Sequence, residues 1–352
     1  MKLALLSIIK PMKGSGDGPT EYAYQLQNAL KKYGRVEPVY ALNESKRNNV
    51  SGLVSMNMKM RLKARRVKCG YDIFHITNQE MGFLAKPLKK RCNVPVVTTV
   101  HDIARFQKGL QSGLLQGTYN RMVKSYVRDA VQNSDLLLFD SKLTMSEVYR
   151  KFGTRKNGVV VNLGINDVVI NQPLKTKESR GRFNVGYLGS MARHKNVMLL
   201  LEAANIIEGD NYSFSIYGTG IEYKRLEEFR DRNGLESVKF MGFAPQAKMV
   251  QIYDSFDAFV FPSLYEGFGL PIIEAQARGL PVIIYKHGKI SEEVRKYCFE
   301  AEDAAHMANI IYDLKENGYG AGLRRKATAY ARSFTWERCA KNTLEAYKNA
   351  LE

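Results

Sequence analysis

Short apolar runs alternate with amphipathic segments along almost the whole chain, and this alternation restricts the fold more than any other feature. The runs have the length and composition of buried strands, and the segments between them are long enough for crossover helices. Strands that are connected through helices form parallel sheets covered by helices on both faces. We predict strands at Leu3–Ile8, Val36–Tyr40, Ile73–Ile76, Val94–Val100, Leu136–Phe139, Val159–Val161, Val185–Leu188, Phe214–Tyr217, Val238–Met241, Phe259–Phe261 and Val282–Ile284.

The alternation is interrupted once, by a polar stretch around Asn171–Arg182. A chain of 352 residues is too long for one ordinary core and long enough for two domains of about 150 to 180 residues. We therefore predict an α/β protein with two doubly wound Rossmann-like domains, residues 1–172 and 173–334, and a cleft between them. The last segment, from Phe334 to Tyr347, has the pattern of one amphipathic helix.

Composition narrows the class of protein. Apolar residues make up 45% of the chain and charged residues 25%, as in ordinary soluble globular proteins. The four cysteines are scattered, which argues against a zinc site and a secreted disulfide scaffold and suits a reducing cytosol. The apolar run Leu3–Ile9 is closed by Lys10 and Pro11, so we interpret it as a first strand rather than a signal peptide. No stretch approaches the roughly 20 apolar residues of a membrane span.

The segment from Phe261 to Glu274 carries the strongest chemical signal. It follows an apolar strand and contains Gly267 and Gly269 before Pro271, a residue that fits the first turn of a helix. Glycines let a bound group approach the backbone, and a helix N-terminus offers free N–H groups to an anion. Glu266 and Glu274 would repel phosphate, so we expect them to accept hydrogen bonds from hydroxyls. An anion site beside hydroxyl acceptors indicates a nucleotide sugar.

Two runs in this region, Glu266-Gly-Phe-Gly-Leu-Pro271 and Glu274-Ala-x-Ala-x-Gly-x-Pro-Val282, together with Ser263, resemble the signature of retaining glycosyltransferases of family 4. That family has the GT-B fold, and its C-terminal helix, here 335–352, crosses back to the first domain. The resemblance implies that Glu266 binds hydroxyls of the donor sugar and that Glu274 binds the ribose. The further donor-site residues that it implies here are Ser263, Gly267, Phe268, Gly269 and Leu270.

A second donor-binding element is expected at the start of the second domain, in Gly186–Asn196. Gly189 permits close approach, Arg193 and Lys195 bring positive charge, and a helix follows, as in a cradle for a diphosphate. The family commonly has an Arg where this chain has Ser190, so Arg193 or a residue elsewhere would have to replace it. The alternative is a basic surface loop that caps a helix.

The family resemblance extends to other segments. It implies that the nucleotide base lies near Met241 and Phe243, while Gly218-Thr-Gly220 resembles a turn that we interpret as structural. The glycine-rich loop after the first strand, with Gly16 and Gly18, resembles the loop that borders the phosphates and the acceptor, although a plain turn is an equal alternative. Asp140-Ser141 resembles a further signature, to which we assign no role.

His101 and Asp102 end a predicted buried strand, at the edge where α/β proteins bind ligands. They resemble the His-Asp pair that faces the donor sugar in the family, where the histidine contacts the sugar and supports departure of the nucleotide. The alternative is a histidine satisfied by the backbone, with Asp102 as a helix cap; Asp102 fits either role.

Positive charge is concentrated in the first half. Residues 1–170 hold 28 Lys and Arg against 12 Asp and Glu, a net charge of +16, and the rest holds 25 against 23. The densest part is Lys59–Lys68, and another cluster comprises Lys86, Lys89, Lys90 and Arg91. A helical stripe of Leu53, Met56, Met60, Ala64 and Val67 with basic residues around it suits an anionic membrane or a lipid-linked acceptor. A solvated helix face and nucleic-acid binding are the alternatives, the latter without a recognisable motif.

No D-x-D motif and no His/Cys cluster is present, so we predict chemistry without a metal or any cofactor beyond the donor. The full prediction is a retaining, cytoplasmic or peripheral membrane glycosyltransferase. It moves a hexose of the glucose, galactose or mannose class from a UDP- or GDP-sugar to a lipid-linked or glycan hydroxyl. The expected catalytic residues are His101, Glu266 and Lys195. A nucleotide-sugar epimerase of the same architecture, or a basic nucleic-acid-binding or nucleic-acid-modifying protein, is the alternative.

Overall fold

A computed structural model describes residues 1–12, 18–42, 50–103, 114–153, 158–174, 181–207, 209 and 211–352. The chain forms two compact units, one of Met1–Gly164 with Trp336–Glu352 and the other of Ile165–Thr335. The predicted boundary, after residue 172, lies slightly further along the chain than the observed boundary, which follows Gly164. Residues just after Gly164 belong to the second unit because Ile165 N–H donates to the Phe334 carbonyl and Arg278 donates to the Val169 carbonyl.

The first unit is a six-stranded parallel sheet with helices between its strands. Its strands are β1 (Lys2–Ile9), β2 (Arg35–Leu42), β3 (Ile73–Ile76), β4 (Val96–Val100), β5 (Leu136–Phe139) and β6 (Gly158–Val160). Its helices are α1 (Gly18–Leu30), α2 (Val50–Arg66), α3 (Ala85–Cys92), α4 (Leu114–Asn133), α5 (Lys142–Phe152) and α14 (Trp336–Leu351). The strand order is β2-β1-β3-β4-β5-β6, and every neighbouring pair is parallel. Strands β3, β4 and β5, which lie inside the sheet, are buried throughout.

The second unit is also a six-stranded parallel sheet. Its strands are β7 (Phe183–Leu188), β8 (Tyr212–Tyr217), β9 (Val238–Gly242), β10 (Ala258–Phe261), β11 (Val282–Tyr285) and β12 (Phe299–Ala301). Its helices are α6 (Asp167–Asn171), α7 (Val197–Ile206), α8 (Tyr223–Arg232), α9 (Met249–Asp254), α10 (Leu270–Ala277), α11 (Glu292–Arg295), α12 (Ala304–Asn317) and α13 (Ala321–Arg332). The order β12-β11-β10-β7-β8-β9 places β7, the first strand of this unit, beside β10.

The predicted α/β class and the doubly wound arrangement are confirmed, and every predicted strand is present. Strand β12 was not predicted. It is three residues long and only its last residue is buried, so it lacks the apolar run that identifies the others. An edge strand of this length gives no periodic signal.

The C-terminal helix α14 packs on the first unit, as the family resemblance implied. Its Tyr347 hydroxyl lies 2.6 Å from Nδ1 of His75, which is fully buried on β3. The Trp336 ring lies 6.1 Å from the Tyr22 ring on α1. The helix therefore contributes buried polar and aromatic contacts to the core of the first unit.

The basic segment Lys59–Lys68 is helical through Arg66, in α2. Met60 and Ala64 of the predicted stripe are buried in the core of the first unit, so the expectation that this stripe faces a membrane is wrong for these two side chains. Leu53 and Met56 lie outside the described side chains. Beyond α2, Cys69 is disulfide-bonded to Cys92 at the end of α3, with 5.0 Å between the Cα atoms. The expectation of reduced, unpaired cysteines is therefore wrong for these two. Their separation of 23 residues gives no sequence signal for pairing.

Within the described ranges, no helix is long and apolar enough to span a membrane.

Candidate functional site

The strand order of the second unit creates the site. The chain runs from β7 outward to β8 and β9, then returns to form β10 on the other side of β7. The loops that follow β7 and β10 therefore leave neighbouring strands in opposite directions and open a crevice at the carboxyl edge of the sheet. The segments predicted to bind the donor, after Leu188 and after Phe261, are these two loops.

The loop after β7 is compact and packs on the side chain of Tyr187. The Tyr187 hydroxyl donates to the Ser190 carbonyl at 2.9 Å, and a Cβ at Gly189 would lie 2.8 Å from that hydroxyl oxygen, so the tight packing favours glycine. Arg193–Lys195 forms a short 3₁₀ helix, and Asn196 adopts the left-handed conformation (φ 51°) before α7 begins. These backbone conformations fix the position of the Lys195 main chain, from which its side chain extends.

The two loops are joined directly. The Leu264 N–H donates to the His194 carbonyl at 2.7 Å, and Nζ of Lys195 lies 2.6 Å from Oε1 of Glu266. The Lys195 ammonium also lies 5.3 Å from the centre of the Phe261 ring, within the range of a cation–π contact. The structure thus brings together Lys195 and Glu266, two of the three residues predicted to be catalytic.

The Lys195–Glu266 pair is largely removed from solvent, with side-chain exposures of 16% and 10%. Burial, and next the charge of Glu266, raises the pKa of the Tyr187 hydroxyl well above its usual range. A buried ion pair is costly to break unless both partners are compensated. A ligand that separates this pair must therefore offer an anion to the ammonium and hydrogen-bond donors to the carboxylate.

The predicted strand–loop–helix corner is present between β10 and α10. Gly269 has φ 104°, a left-handed conformation that favours glycine, and Pro271 lies in the first turn of α10. Among the residues that the structure describes, no side chain caps this helix N-terminus. The Ser263 hydroxyl is fully buried and has no hydrogen-bond partner within the described ranges. The corner thus combines an uncapped helix N-terminus with a polar group left for a ligand.

The other residues of the corner that were predicted to bind the donor differ in their burial. Phe268 is buried, with its ring 5.8 Å from the Phe334 ring, and so anchors the loop. Gly267 and Leu270 are half-buried beside it. A Cβ at Gly288 would lie 2.2 Å from the Ser263 carbonyl oxygen, because a neighbouring loop packs closely on this segment.

Glu274 lies on α10 and has a partner that sequence reasoning missed. The Tyr253 hydroxyl, on α9, donates to Oε2 of Glu274 at 2.8 Å. Burial, followed by the charge of Glu274, raises the pKa of Tyr253 well above its usual range, so the hydroxyl remains a donor. The bond fixes the orientation of the Glu274 carboxyl group, whose oxygens can accept hydrogen bonds from hydroxyls.

Arg193 is placed differently from Lys195. Its Nε lies 3.1 Å from Glu222, and Arg225 contacts the same carboxylate at 3.0 Å. These residues line a cavity of about 440 Å³ between α7 and α8. Arg193 is half-exposed and would have to leave Glu222 to reach a diphosphate held by Lys195.

Met241 and Phe243 lie at the end of β9, on either side of Gly242, whose φ is 70°. Their exposed fractions, 46% and 67%, are high for such residues and leave both side chains accessible to a ligand. The Gly218 N–H donates to the Gly242 carbonyl at 2.7 Å. A Cβ at Gly218 would lie 1.8 Å from the Gly189 carbonyl oxygen, so this glycine is required by packing, as expected of a structural turn.

In the first unit, His101 follows β4 and both of its ring nitrogens are engaged. Nδ1 lies 2.7 Å from Oδ2 of Asp140, and Nε2 lies 2.8 Å from the Thr77 carbonyl oxygen. The partner of His101 is thus Asp140, at the end of β5, rather than its neighbour Asp102. Contact with a sugar through the ring nitrogens would require one of these bonds to be exchanged. In the sequence, Asp140 was singled out only as part of Asp140-Ser141, a run that resembles a family signature and to which no role was assigned.

The glycine-rich loop of the first unit is only partly described. Gly16 lies outside the described residues, and Gly18 is the first residue of α1, with open space where a Cβ would be. The expectation that this loop borders the phosphates stays a prediction. Among the described residues, no group of three or more His, Cys, Asp or Glu side chains could hold a metal ion, and the absence of a metal requirement stays a prediction as well.

The basic surface of the first unit is formed by α2 and α3. Met58 and Leu62 are 60% and 51% exposed on α2, among basic residues. The Arg61 guanidinium lies 4.5 Å from the centre of the Phe83 ring, and Arg91 donates to the carbonyls of Arg65 and Val67. Exposed apolar side chains within a cationic surface are typical of contact with anionic lipid.

Two family models match nearly the whole chain. The model of the glycosyltransferase family 4 matches residues 15–168, and the model of the glycosyl transferases group 1 matches residues 171–334. Among curated proteins, the chain is similar to the O-antigen chain mannosyltransferase B of Escherichia coli. The two are 27% identical over 72% of this chain and 70% of the relative.

Solved structures with the same fold cover the chain almost completely. The sucrose-phosphate synthase of Thermosynechococcus elongatus has a TM-score of 0.78 at 20% identity and covers 99% of this chain and 98% of its own. Anabaena HepE, in complex with UDP and glucose, has a TM-score of 0.71 at 19% identity, with 98% of each chain covered. At these identities the likeness establishes the fold.

Proposed function

The chain belongs to the GT-B glycosyltransferases of family 4, and we propose that it moves a hexose from a UDP- or GDP-sugar to a hydroxyl acceptor with retention of anomeric configuration. The hexose belongs to the glucose, galactose or mannose class, and the acceptor is a glycan or a lipid-linked molecule. The reaction needs no metal. The enzyme works in the cytoplasm or at the cytoplasmic face of a membrane.

One observation carries the proposal: the buried Lys195–Glu266 pair at the crevice between the β7 and β10 loops. A nucleotide sugar supplies what each partner needs on separation. Its diphosphate attracts the Lys195 ammonium, and its sugar hydroxyls donate to the Glu266 carboxylate. The uncapped N-terminus of α10 and the unpartnered Ser263 hydroxyl add donors for phosphate oxygens beside the pair.

The remaining donor-binding residues take complementary roles. Glu274, oriented by Tyr253, accepts hydrogen bonds from the ribose hydroxyls. Met241 and Phe243 contact the base through their exposed side chains or their backbone. Arg193 adds positive charge when the diphosphate draws it away from Glu222. His101 of the first unit contacts the sugar on the acceptor side.

Retention follows a front-face path in this proposal. The departing phosphate helps to deprotonate the acceptor hydroxyl, and cationic groups stabilise the leaving diphosphate. We nominate no carboxylate as a covalent nucleophile. The Glu266 carboxylate is bonded to Lys195 and serves to orient the sugar. Similarity to a mannosyltransferase and to a protein bound to UDP and glucose supports a nucleotide-hexose donor.

We propose that the basic surface of α2 and α3 presents a lipid-linked acceptor or an anionic membrane. Sedimentation with phosphatidylserine vesicles tests this part. Lys59→Glu with Arg66→Glu should weaken binding, whereas Lys224→Glu, an exposed residue of the second unit, should not. Binding should also fall steeply as salt rises. Equal binding by all three proteins, or none to these vesicles, contradicts a membrane role for this surface.

The donor is identified by incubating the purified protein with UDP-, GDP- and ADP-sugars, with magnesium or with EDTA. We expect slow release of free sugar from one donor, equally fast with EDTA, and faster consumption when an acceptor is added. Conversion of the donor into its epimer without acceptor would indicate an epimerase instead. No turnover and no stabilisation by any nucleotide would refute the proposal.

Glu266→Gln tests the site itself. It removes the negative charge and keeps the shape, so we expect turnover to fall about 10- to 160-fold, the equivalent of a charged hydrogen bond of about 1.5–3 kcal/mol. Glu228→Gln, on the exposed face of α8, is the matched control and should keep wild-type activity. A Glu266→Gln protein with wild-type turnover would exclude this crevice as the donor site.

A further inference from the structure

The carboxyl edge of the first sheet holds a buried His–Asp pair whose role the donor site does not explain. His101 and Asp140 follow the neighbouring strands β4 and β5, with side-chain exposures of 10% and 4%. Nδ1 of His101 lies 2.7 Å from Oδ2 of Asp140. The backbone of His101 is fixed as well, since its N–H donates to Gln79 and its carbonyl accepts from the Thr144 hydroxyl.

The geometry limits the protonation states of the ring. Nε2 lies 2.8 Å from the Thr77 carbonyl oxygen, which can only accept, so Nε2 carries a proton. Nδ1 then either accepts from a protonated Asp140 or donates to its carboxylate. Burial alone lowers the pKa of His101, but the charge of Asp140, its hydrogen bond and the Thr77 carbonyl outweigh burial and raise that pKa above its ordinary value. Burial raises the pKa of the Asp140 carboxyl as well, while the charge and the hydrogen bond of His101 lower it, so one proton is held between Nδ1 and Oδ2. We assign that proton to the ring, because the Asp140 carboxylate stabilises the charge that it brings.

The other groups around the ring do not replace Asp140. His75, on β3, is kept neutral because burial, and then the charge of His101, lowers its pKa to about 3. Tyr22, on α1, packs edge-on at 4.6 Å between ring centres, and its hydroxyl lies 3.0 Å from the Thr99 hydroxyl. Two more titratable groups are near, Asp102 beside the ring and Cys339 of α14 beside Asp140, whose thiol pKa burial raises to about 12.

Among the described residues, the Asp140 side chain hydrogen-bonds to the His101 ring alone. Its second oxygen, Oδ1, is buried and accepts no hydrogen bond from any residue in the described part of the chain. A buried carboxylate with a single partner depends on that partner for compensation, and the partner depends on it equally. Each of the two residues therefore fixes the position and the charge of the other.

We propose that Asp140 is a positioning residue for glycosyl transfer, which fixes the His101 ring and keeps it cationic at the carboxyl edge of the first sheet. The inference rests on the proposed function, in which His101 contacts the donor sugar. A ring held in this state has no lone pair to act as a base. It offers a fixed positive charge, which favours the negative charge that develops in glycosyl transfer.

The first arm of the test measures the charge on His101 without using activity. The chain has five histidines, and His101→Gln assigns the resonance of His101 in a histidine-labelled NMR titration. We expect wild-type His101 to titrate above the ordinary value of about 6.5. Asp140→Asn should move the titration to lower pH by about 1 to 3 units. Asp102→Asn is the matched control and should cause a smaller shift.

The second arm measures kcat and KM against pH with the donor identified above. If a cationic His101 is required, the rate falls as pH rises through its pKa, and Asp140→Asn moves this descending limb to lower pH. At neutral pH the variant should lose kcat more than it changes KM. Asp140→Glu, which keeps the charge, should restore part of kcat.

Several outcomes would overturn the inference. One is a wild-type His101 that titrates below 6.5. This measurement uses the wild-type protein, so it does not depend on whether the Asp140 variants fold. Asp140→Asn could leave the titration unchanged, or shift it less than Asp102→Asn does. It could also lower the melting temperature and leave the descending limb in place, as a purely structural pair would. Failure to find any donor refutes the proposed function instead, and the titration still decides the charge on His101.

Discussion

Replacement of Lys195 by Met tests the donor site most directly, because it keeps the aliphatic stem beside Phe261 and removes the charge. Nζ of Lys195 lies 2.6 Å from Glu266 in a side chain that is only 16% exposed. Without the ammonium, the diphosphate loses one charged hydrogen bond, worth about 1.5–3 kcal/mol. Since about 1.4 kcal/mol corresponds to a tenfold change, we expect kcat/KM to fall about 10- to 160-fold.

The same substitution should also affect stability, because it leaves the buried Glu266 carboxylate without its partner. An unsatisfied buried group costs about 1–3 kcal/mol, which lowers the melting temperature by several degrees in a chain of this size. The double variant Lys195→Met with Glu266→Gln removes both charges. It should recover most of the lost stability without recovering activity.

Steady-state kinetics over a range of donor concentrations, with a melting curve for each variant, measures both effects. Lys286→Met is the control, since Lys286 forms an exposed ion pair with Glu302 in the same unit. It should change kcat/KM less than twofold. A folded Lys195→Met protein whose kcat/KM stays within twofold of wild type would refute the role of Lys195 in binding the diphosphate. Failure of the double variant to regain stability would refute the coupling to Glu266.

Three further expectations concern other contacts. Tyr253→Phe removes the hydroxyl that donates to Glu274, so we expect KM for the donor to rise several-fold with little change in kcat; an unchanged KM would argue against Glu274 as the ribose ligand. Cys69→Ser opens the disulfide to Cys92, which should lower the free energy of unfolding by about 3 kcal/mol, measured by urea denaturation. Equal stability of variant and wild type would show that this crosslink does not constrain the unfolded chain. The pKa of His75 is lowered to about 3 by burial, so the unfolded state binds more protons between about pH 6.5 and 3, and stability falls as pH falls through this range. His75→Gln should flatten that dependence in urea unfolding at pH 7 and pH 4.5, and an unaltered slope would assign the acid sensitivity to other groups.

The fold could be read from the sequence because its signals are local. Buried parallel strands appear as apolar runs, and the segment from Gly267 to Pro271 has the residues that a strand–loop–helix corner needs. The signal fails where the element is short or half-exposed, as in β12. It also fails for the disulfide between Cys69 and Cys92, because the approach of the ends of α2 and α3 depends on packing and not on spacing.

The candidate site was predicted residue by residue, but its pairs were not. Lys195 and Glu266 were assigned to separate tasks, diphosphate and sugar, and the structure bonds them to each other across 71 residues of chain. His101 was considered together with the adjacent Asp102, whose role was left open, and its hydrogen-bond partner is Asp140, 39 residues away. Sequence proximity was a poor guide here because side chains at the ends of neighbouring strands meet more closely than consecutive residues do.

The sequence by itself determined that the chain forms two βα units and which polar residues follow each strand. Periodicity, glycine and proline act over a few residues, so they can be recognised without knowledge of the fold. Only the tertiary structure decided which of those residues become partners. The strand order sets β7 beside β10 and β4 beside β5, and the order of strands in a sheet depends on long-range packing that no local pattern encodes.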